Sequence, residues 1–145
     1  MRQLSELDKC IEKGLIRRTI PSQEKATKSL NKSRKWLEEA KKNHKFKLFD
    51  SCVVSSYSAM FHATRSLLFK DGYREKSHYC MARYLEEKYV DTGKMERIII
   101  DLLDRFRELR HEELYELDFC VTEEDADEAV QNAEKVLTTV EKLIQ

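Results

Sequence analysis

Between residues 22 and 42 the positions Ala26, Leu30, Ser33, Leu37 and Ala40 recur every three or four residues, with Trp36 beside them. That is the period of an α-helix with one inward face. Residues 46–70 carry two such stripes. Phe46, Phe49, Val53, Tyr57, Met60 and Leu67 form one; Val54, Phe61 and Leu68, seven residues apart, form the other. A helix with apolar residues on two faces is covered on two sides. This segment is therefore expected either at the centre of a bundle or between its own bundle and a second subunit. Ile99, Leu102, Leu103, Phe106 and Leu109 predict a helix over 96–113, and Ala126, Ala129, Val130, Ala133, Val136, Leu137, Val140 and Leu143 predict the last one.

Punctuation residues separate these patterns. Residues 5–13 read as a short helix stopped by Gly14. Pro21 disfavours helix at Ile20, and Ser22 is a good N-cap with Glu24 in the following turn. Asp71 and Gly72 end the central helix. Ser77 opens a shorter helix to about residue 89, broken by Asp91, Thr92 and Gly93. Thr122, followed three residues later by Asp125, is a capping box. With one Pro and three Gly in 145 residues, there are too few turn formers for an all-β fold. The expectation is all-α: an up-and-down bundle of about five helices, a four-helix core plus a short N-terminal helix. It is read as one domain, 1–145, in which 1–20 hold the short helix and a connector and 22–145 the bundle.

Charge adds a second layer. Residues 1–50 hold 14 Lys/Arg against 7 Asp/Glu, net +7, and residues 101–145 hold 5 against 14, net −9. Such an opposition suggests terminal helices that pair, within the chain or across a dimer. No global nucleic-acid footprint exists, though a local basic patch is compatible with this balance. No run of about 18 apolar residues and no apolar leader core is present, so the expected location is cytoplasmic with no membrane partner. Cys10, Cys52, Cys80 and Cys120 form no CxxC pair. Free thiols are expected, with Cys52 and Cys80 as small buried apolar residues.

Candidate chemistry is confined. Glu75 with His78 and Glu108 with His111 match the Glu-x-x-His spacing of di-metal bundles, but the central helix supplies no Glu between positions 51 and 70. No metal site and no cofactor is expected. The remaining cluster is Arg105, Arg107, Arg110, His111 and Tyr115. Arg107 and His111 are i,i+4 on one face. A histidine beside arginines can move a hydroxyl proton of RNA while Arg offsets phosphate charge; the same spacing also builds ordinary ion pairs on a solvated helix. His62 sits among apolar residues and reads as a hydrogen-bonded core or interface residue, His78 as a residue ordering its loop, and His44 as a solvated turn.

Tyr57, Ala59, Met60, Phe61, His62, Ala63, Leu67 and Leu68 together resemble the Tyr-x-Ala-Met-Phe-His-Ala-x-x-x-Leu-Leu helix of HEPN domains. Gly72, Lys76 and His78 are similar to that family's Gly…Lys-x-His turn, and Arg110 with Tyr115 to its Arg-x-x-x-x-Tyr segment. The resemblance spans almost the whole chain and is most specific in the central helix. It implies a helical bundle that dimerises, often as partner of a minimal nucleotidyltransferase in a toxin–antitoxin pair. It further implies, for active members, a metal-independent ribonuclease with an Arg-x4–6-His site at the dimer interface. Arg105 and His111 meet that spacing, with Arg107, Arg110 and Tyr115 in support. Yet the residue after Arg105 is Phe106, a core position, and six residues is roughly 240° of an ideal helix.

The first reading is therefore a nucleotidyltransferase partner that binds nucleotide or RNA phosphate without strong catalysis, using His78 and Arg110. The alternatives are a ribonuclease toxin and a plain dimeric scaffold. Val54, Phe61 and Leu68 are the expected dimer face.

Overall fold

The computed structural model of the protein describes residues 3–144. The described residues form six helices and one two-stranded ribbon: α1 (Glu6–Glu12), β1 (Ile16–Arg18), α2 (Gln23–Lys45), α3 (Phe49–Asp71), β2 (Tyr73–Glu75), α4 (His78–Leu85), α5 (Ile98–Tyr115) and α6 (Glu123–Ile144). A π-helical turn, Glu86–Val90, continues α4. The all-α bundle expected from periodicity is the observed architecture. Its long helices are α2, α3, α5 and α6, and the short ones are α1 and α4.

Caps begin the helices where the sequence places them. Ser5 Oγ accepts from Asp8 N at 3.0 Å, while Asp8 Oδ2 accepts from Ser5 N at 3.1 Å. Ser22 accepts from Lys25 N, and Ser77 from Cys80 N. Thr122 and Asp125 complete the reciprocal box at the start of α6. Each satisfies an N–H that the first turn would otherwise leave open.

α3 is the central element and packs against α2, α5 and α6. Twelve of its 23 residues are buried, spread around its circumference. Small residues let α2 lie close to it: Ser33 Oγ donates to the Ala59 carbonyl and Ser29 Oγ to that of His62, both at 2.7 Å. Gly72 closes α3 with φ +85°, and a Cβ there would meet the Pro21 ring at 2.8 Å. That contact seats the α1–α2 connector against the end of α3, and β1 pairs antiparallel with β2, Ile16 opposite Glu75.

Several expectations need correction. Helix α3 starts at Phe49, not at 46. Phe46 is the C-cap of α2 and 69% exposed, because Lys47 takes a left-handed φ of 60° that interrupts the helix. Leu68 is not on an outward face: it is fully buried in the chain's own core, while Val54 and Phe61 stay partly exposed. A seven-residue stripe drifts about 20° per heptad on a straight helix, which turns Leu68 inward relative to Val54. Finally, Cys10 and Cys80 are not free thiols. They form a disulfide between α1 and α4, with Cα atoms 5.8 Å apart; Cys52 and Cys120 are free.

The charge opposition resolves within the chain. Arg34 of α2 pairs with Glu141 of α6 at 2.9 Å, Lys41 with Glu134 at 2.8 Å, and His44 with Asp127. His44 is thus a hydrogen-bonded residue of the α2–α6 contact rather than a solvated turn. No helix among the described residues is long and apolar enough to cross a membrane.

Candidate functional site

α3 presents Tyr57, Phe61 and Arg65 at i, i+4 and i+8, so the three side chains stack along one face. His78, the first residue of α4, lies over that face. Its Nδ1 shares a hydrogen bond of 2.9 Å with the Tyr57 hydroxyl. Its ring stacks on Phe61 with centroids 4.1 Å apart and planes at 21°. Arg65 lies 5.6 Å from the Phe61 centroid and is held by Glu75 of β2, Nε to Oε1 at 2.9 Å.

α5 supplies the other wall. Arg110 lies 5.6 Å over the Tyr57 ring and makes no ion pair among the described residues. Arg107 is tethered to Asp104 at 2.7 Å, and Asp104 also takes Arg83 of α4 at 2.5 Å. Tyr79 sits under both Arg83 and Arg107, at 4.7 and 5.6 Å. Three guanidinium groups, those of Arg65, Arg107 and Arg110, thus act on His78; Glu75 holds the first and Asp104 the second, while Arg110 makes no ion pair among the described residues.

Electrostatics fix the protonation states. Burial, then Arg110, Arg107 and Arg65, hold the His78 pKa below the usual imidazole value. Burial, then Arg65, Lys32 and His78, hold His62 down to about 4. Burial pushes Tyr57 up to about 12 despite Arg107 and Arg110. At neutral pH the centre is therefore a neutral imidazole and a neutral phenol beneath fixed positive charge. Such an arrangement suits an anion with a flat partner to stack, such as a phosphate carrying a base.

The structure brings together some sequence candidates and separates others. His78 and Arg110 meet across Tyr57. Arg105 turns away to α6, where it pairs with Glu128 at 2.5 Å, and it is 52% exposed. His111 is exposed and rests against Tyr115, ring centroids 4.8 Å apart. No hydrogen bond, ion pair or ring contact among the described residues joins Arg105 to His111, as their poor helical phase requires. The sequence expectation gives Tyr57 and Arg65 no place among the site residues and puts Phe61 on the dimer face. Their four-residue spacing on the central helix was the available signal.

A HEPN domain family model matches residues 26–143. A comparison with curated proteins finds no match. The match covers α2 through most of α6, including every residue of the His78 face. On this ground the chain belongs to the HEPN domain family.

Proposed function

We propose that this chain binds a nucleotide, or the phosphate of an RNA, at the His78–Arg110 face and does so without strong catalysis, as the partner of a minimal nucleotidyltransferase in a toxin–antitoxin-like module. Family membership supports a nucleotide- or RNA-related role. The observation that carries the binding reading is Arg110: a guanidinium over the Tyr57 ring, with no ion pair among the described residues, beside an imidazole kept neutral by its surroundings. Arg105, paired with Glu128, and its fully buried neighbour Phe106 support the reading without strong catalysis.

Calorimetric titration with AMP and with a short RNA tests binding. Arg110→Ala is expected to weaken it about tenfold, the loss of one charge-assisted contact to phosphate. Unchanged affinity would remove the His78–Arg110 assignment. Coexpression with an adjacent nucleotidyltransferase tests the partnership, and failure of the two to co-purify counts against it. A ribonuclease toxin would instead cleave RNA in vitro and lose that cleavage on His111→Ala. A homodimer is part of the proposal; Val54 and Phe61 keep the exposure it needs, and a monomeric mass in solution would exclude it.

A further inference from the structure

The contact between the Tyr57 hydroxyl and His78 Nδ1, 2.9 Å long, holds one proton, and either group can supply it. Burial decides which. Tyr57 is 2% exposed, and His78 Nδ1 is the one hydrogen-bond partner of its hydroxyl among the described residues. If Nδ1 carried the proton, the phenolic O–H would have no acceptor in a nearly sealed place, and buried donors are ordinarily paired. If the hydroxyl donates to Nδ1, both groups are satisfied. The phenol keeps its proton at neutral pH, because burial raises its pKa to about 12. The imidazole takes no second proton, because burial, then Arg110 and Arg107 from α5 and Arg65 from α3, hold its pKa down. His62, the neighbouring imidazole on α3, is likewise neutral. A neutral imidazole with a bare Nδ1 carries its proton on Nε2.

That nitrogen is open to solvent. His78 is partly exposed, no hydrogen bond among the described residues reaches Nε2, and it is not one of the buried polar atoms without a partner. Turning the ring over would put a carbon against the Tyr57 hydroxyl, and the stack on Phe61 fixes the ring plane. Arg110, over the Tyr57 ring, is the neighbouring cation without an ion pair among the described residues. The carboxylates of this face, Glu75 and Asp104, are held by Arg65 and Arg107. The free groups are thus two donors, one charged and one neutral, and together they call for an anionic oxygen. His78 has no free lone pair for the proton of a ribose hydroxyl, since Tyr57 engages Nδ1 and Nε2 is protonated. We propose that Tyr57 is a positioning residue: it fixes His78 as an Nε2–H donor, which with Arg110 takes the phosphodiester oxygens of an intact nucleic-acid strand rather than a sugar hydroxyl. This role rests on the binding reading of the His78–Arg110 face.

Long-range proton–nitrogen NMR on the free chain reads the ring nitrogens of its four histidines, with His78→Gln as the assignment control. His78 is expected to show a protonated Nε2 and a bare Nδ1 at neutral pH. A protonated Nδ1 overturns the proposal whether or not any ligand binds, and this measurement needs no variant that must fold. Binding is followed by calorimetry with the dinucleotide ApA, whose single phosphodiester charge does not titrate near neutrality. From about pH 6.5 to about 8.5 the affinity is expected to stay within about twofold, whereas a required imidazolium would cost about tenfold per pH unit. His78→Gln keeps an uncharged N–H and is expected within about threefold of the wild type, with His78→Ala about tenfold weaker. Tyr57→Phe keeps the ring but not the proton; it is expected to weaken ApA about fivefold and to raise the His78 pKa. The deoxy counterpart of ApA is expected to bind as well as ApA. A steep pH profile, a Gln variant as weak as the Ala one, a Phe variant unchanged in affinity and in His78 titration, or a clear preference for ribose each overturns the proposal. A wild type that binds neither dinucleotide removes the binding reading, and the phosphate role of His78 with it, while the NMR result still decides the tautomer.

Discussion

His78 and His62 show how far a side chain's surroundings decide its chemistry. Both are imidazoles that the fold keeps neutral, through burial first and arginine second. In the unfolded chain they take up protons near pH 6.5, whereas in the folded chain they resist. Their contribution to stability is therefore present above about pH 6.5 and lost as pH falls below it, for His62 down to about 4. Thermal midpoints between pH 7 and pH 4 should fall, and His62→Phe should flatten part of that slope. Glu113 has the opposite sign. Its folded pKa, raised from 4.5 to about 7, means that ionisation opposes folding as pH rises through that interval. Glu113→Gln is expected to raise the melting temperature at pH 8 and to do little at pH 4.5; an equal effect at both would show that the carboxyl is not held up. Asp71 is a third local case. It accepts hydrogen bonds from Tyr84 and Tyr89 at 2.9 and 2.7 Å. These tyrosines are five residues apart, and the π-helical turn brings them to one side.

Helix α1 is too short to persist alone, since seven residues make less than two full turns. It stays in place through Leu7 in the core, the β1–β2 ribbon behind it and the Cys10–Cys80 bond to α4. That bond closes a loop of 70 residues. Replacing Cys10 by Ser is expected to cost about 2–4 kcal/mol, read as a lower urea midpoint under oxidising conditions. Under reducing conditions the wild type and the variant should converge. Gly72 governs the same region. Its left-handed φ and the Pro21 ring beside it make Gly72→Ala unfavourable by roughly 1–3 kcal/mol, and the urea midpoint checks this.

At the scale of the molecule, apolar burial and surface charge divide the work unequally. Phe106 is fully enclosed at the contact of α5 with the bundle, and Phe106→Ala should destabilise by about 3–5 kcal/mol in denaturant unfolding. The α2–α6 ion pairs are about half-exposed, so each contributes only a few tenths of a kcal/mol to about 1 kcal/mol. Raising salt should lower the melting temperature slightly; a large drop would mean that charge, not burial, holds α6. Those pairs give the +7 and −9 ends of the chain a partner without a second subunit.

The capped helix starts and the inward residues of α2, α5 and α6 were legible in the chain, because capping and the 3.6-residue period are local properties that neighbours in sequence carry; the uncapped start of α3 was not. The position of α3 at the centre was legible too, from its two apolar stripes. Tertiary structure alone decided the rest. A disulfide joins positions 70 apart, and a ribbon joins β1 to β2 across two helices. The candidate site followed the same division. Sequence marks His78 and Arg110 as separate residues of two motifs; their meeting across Tyr57 depends on how α4 and α5 cross α3, a relation that no local spacing encodes.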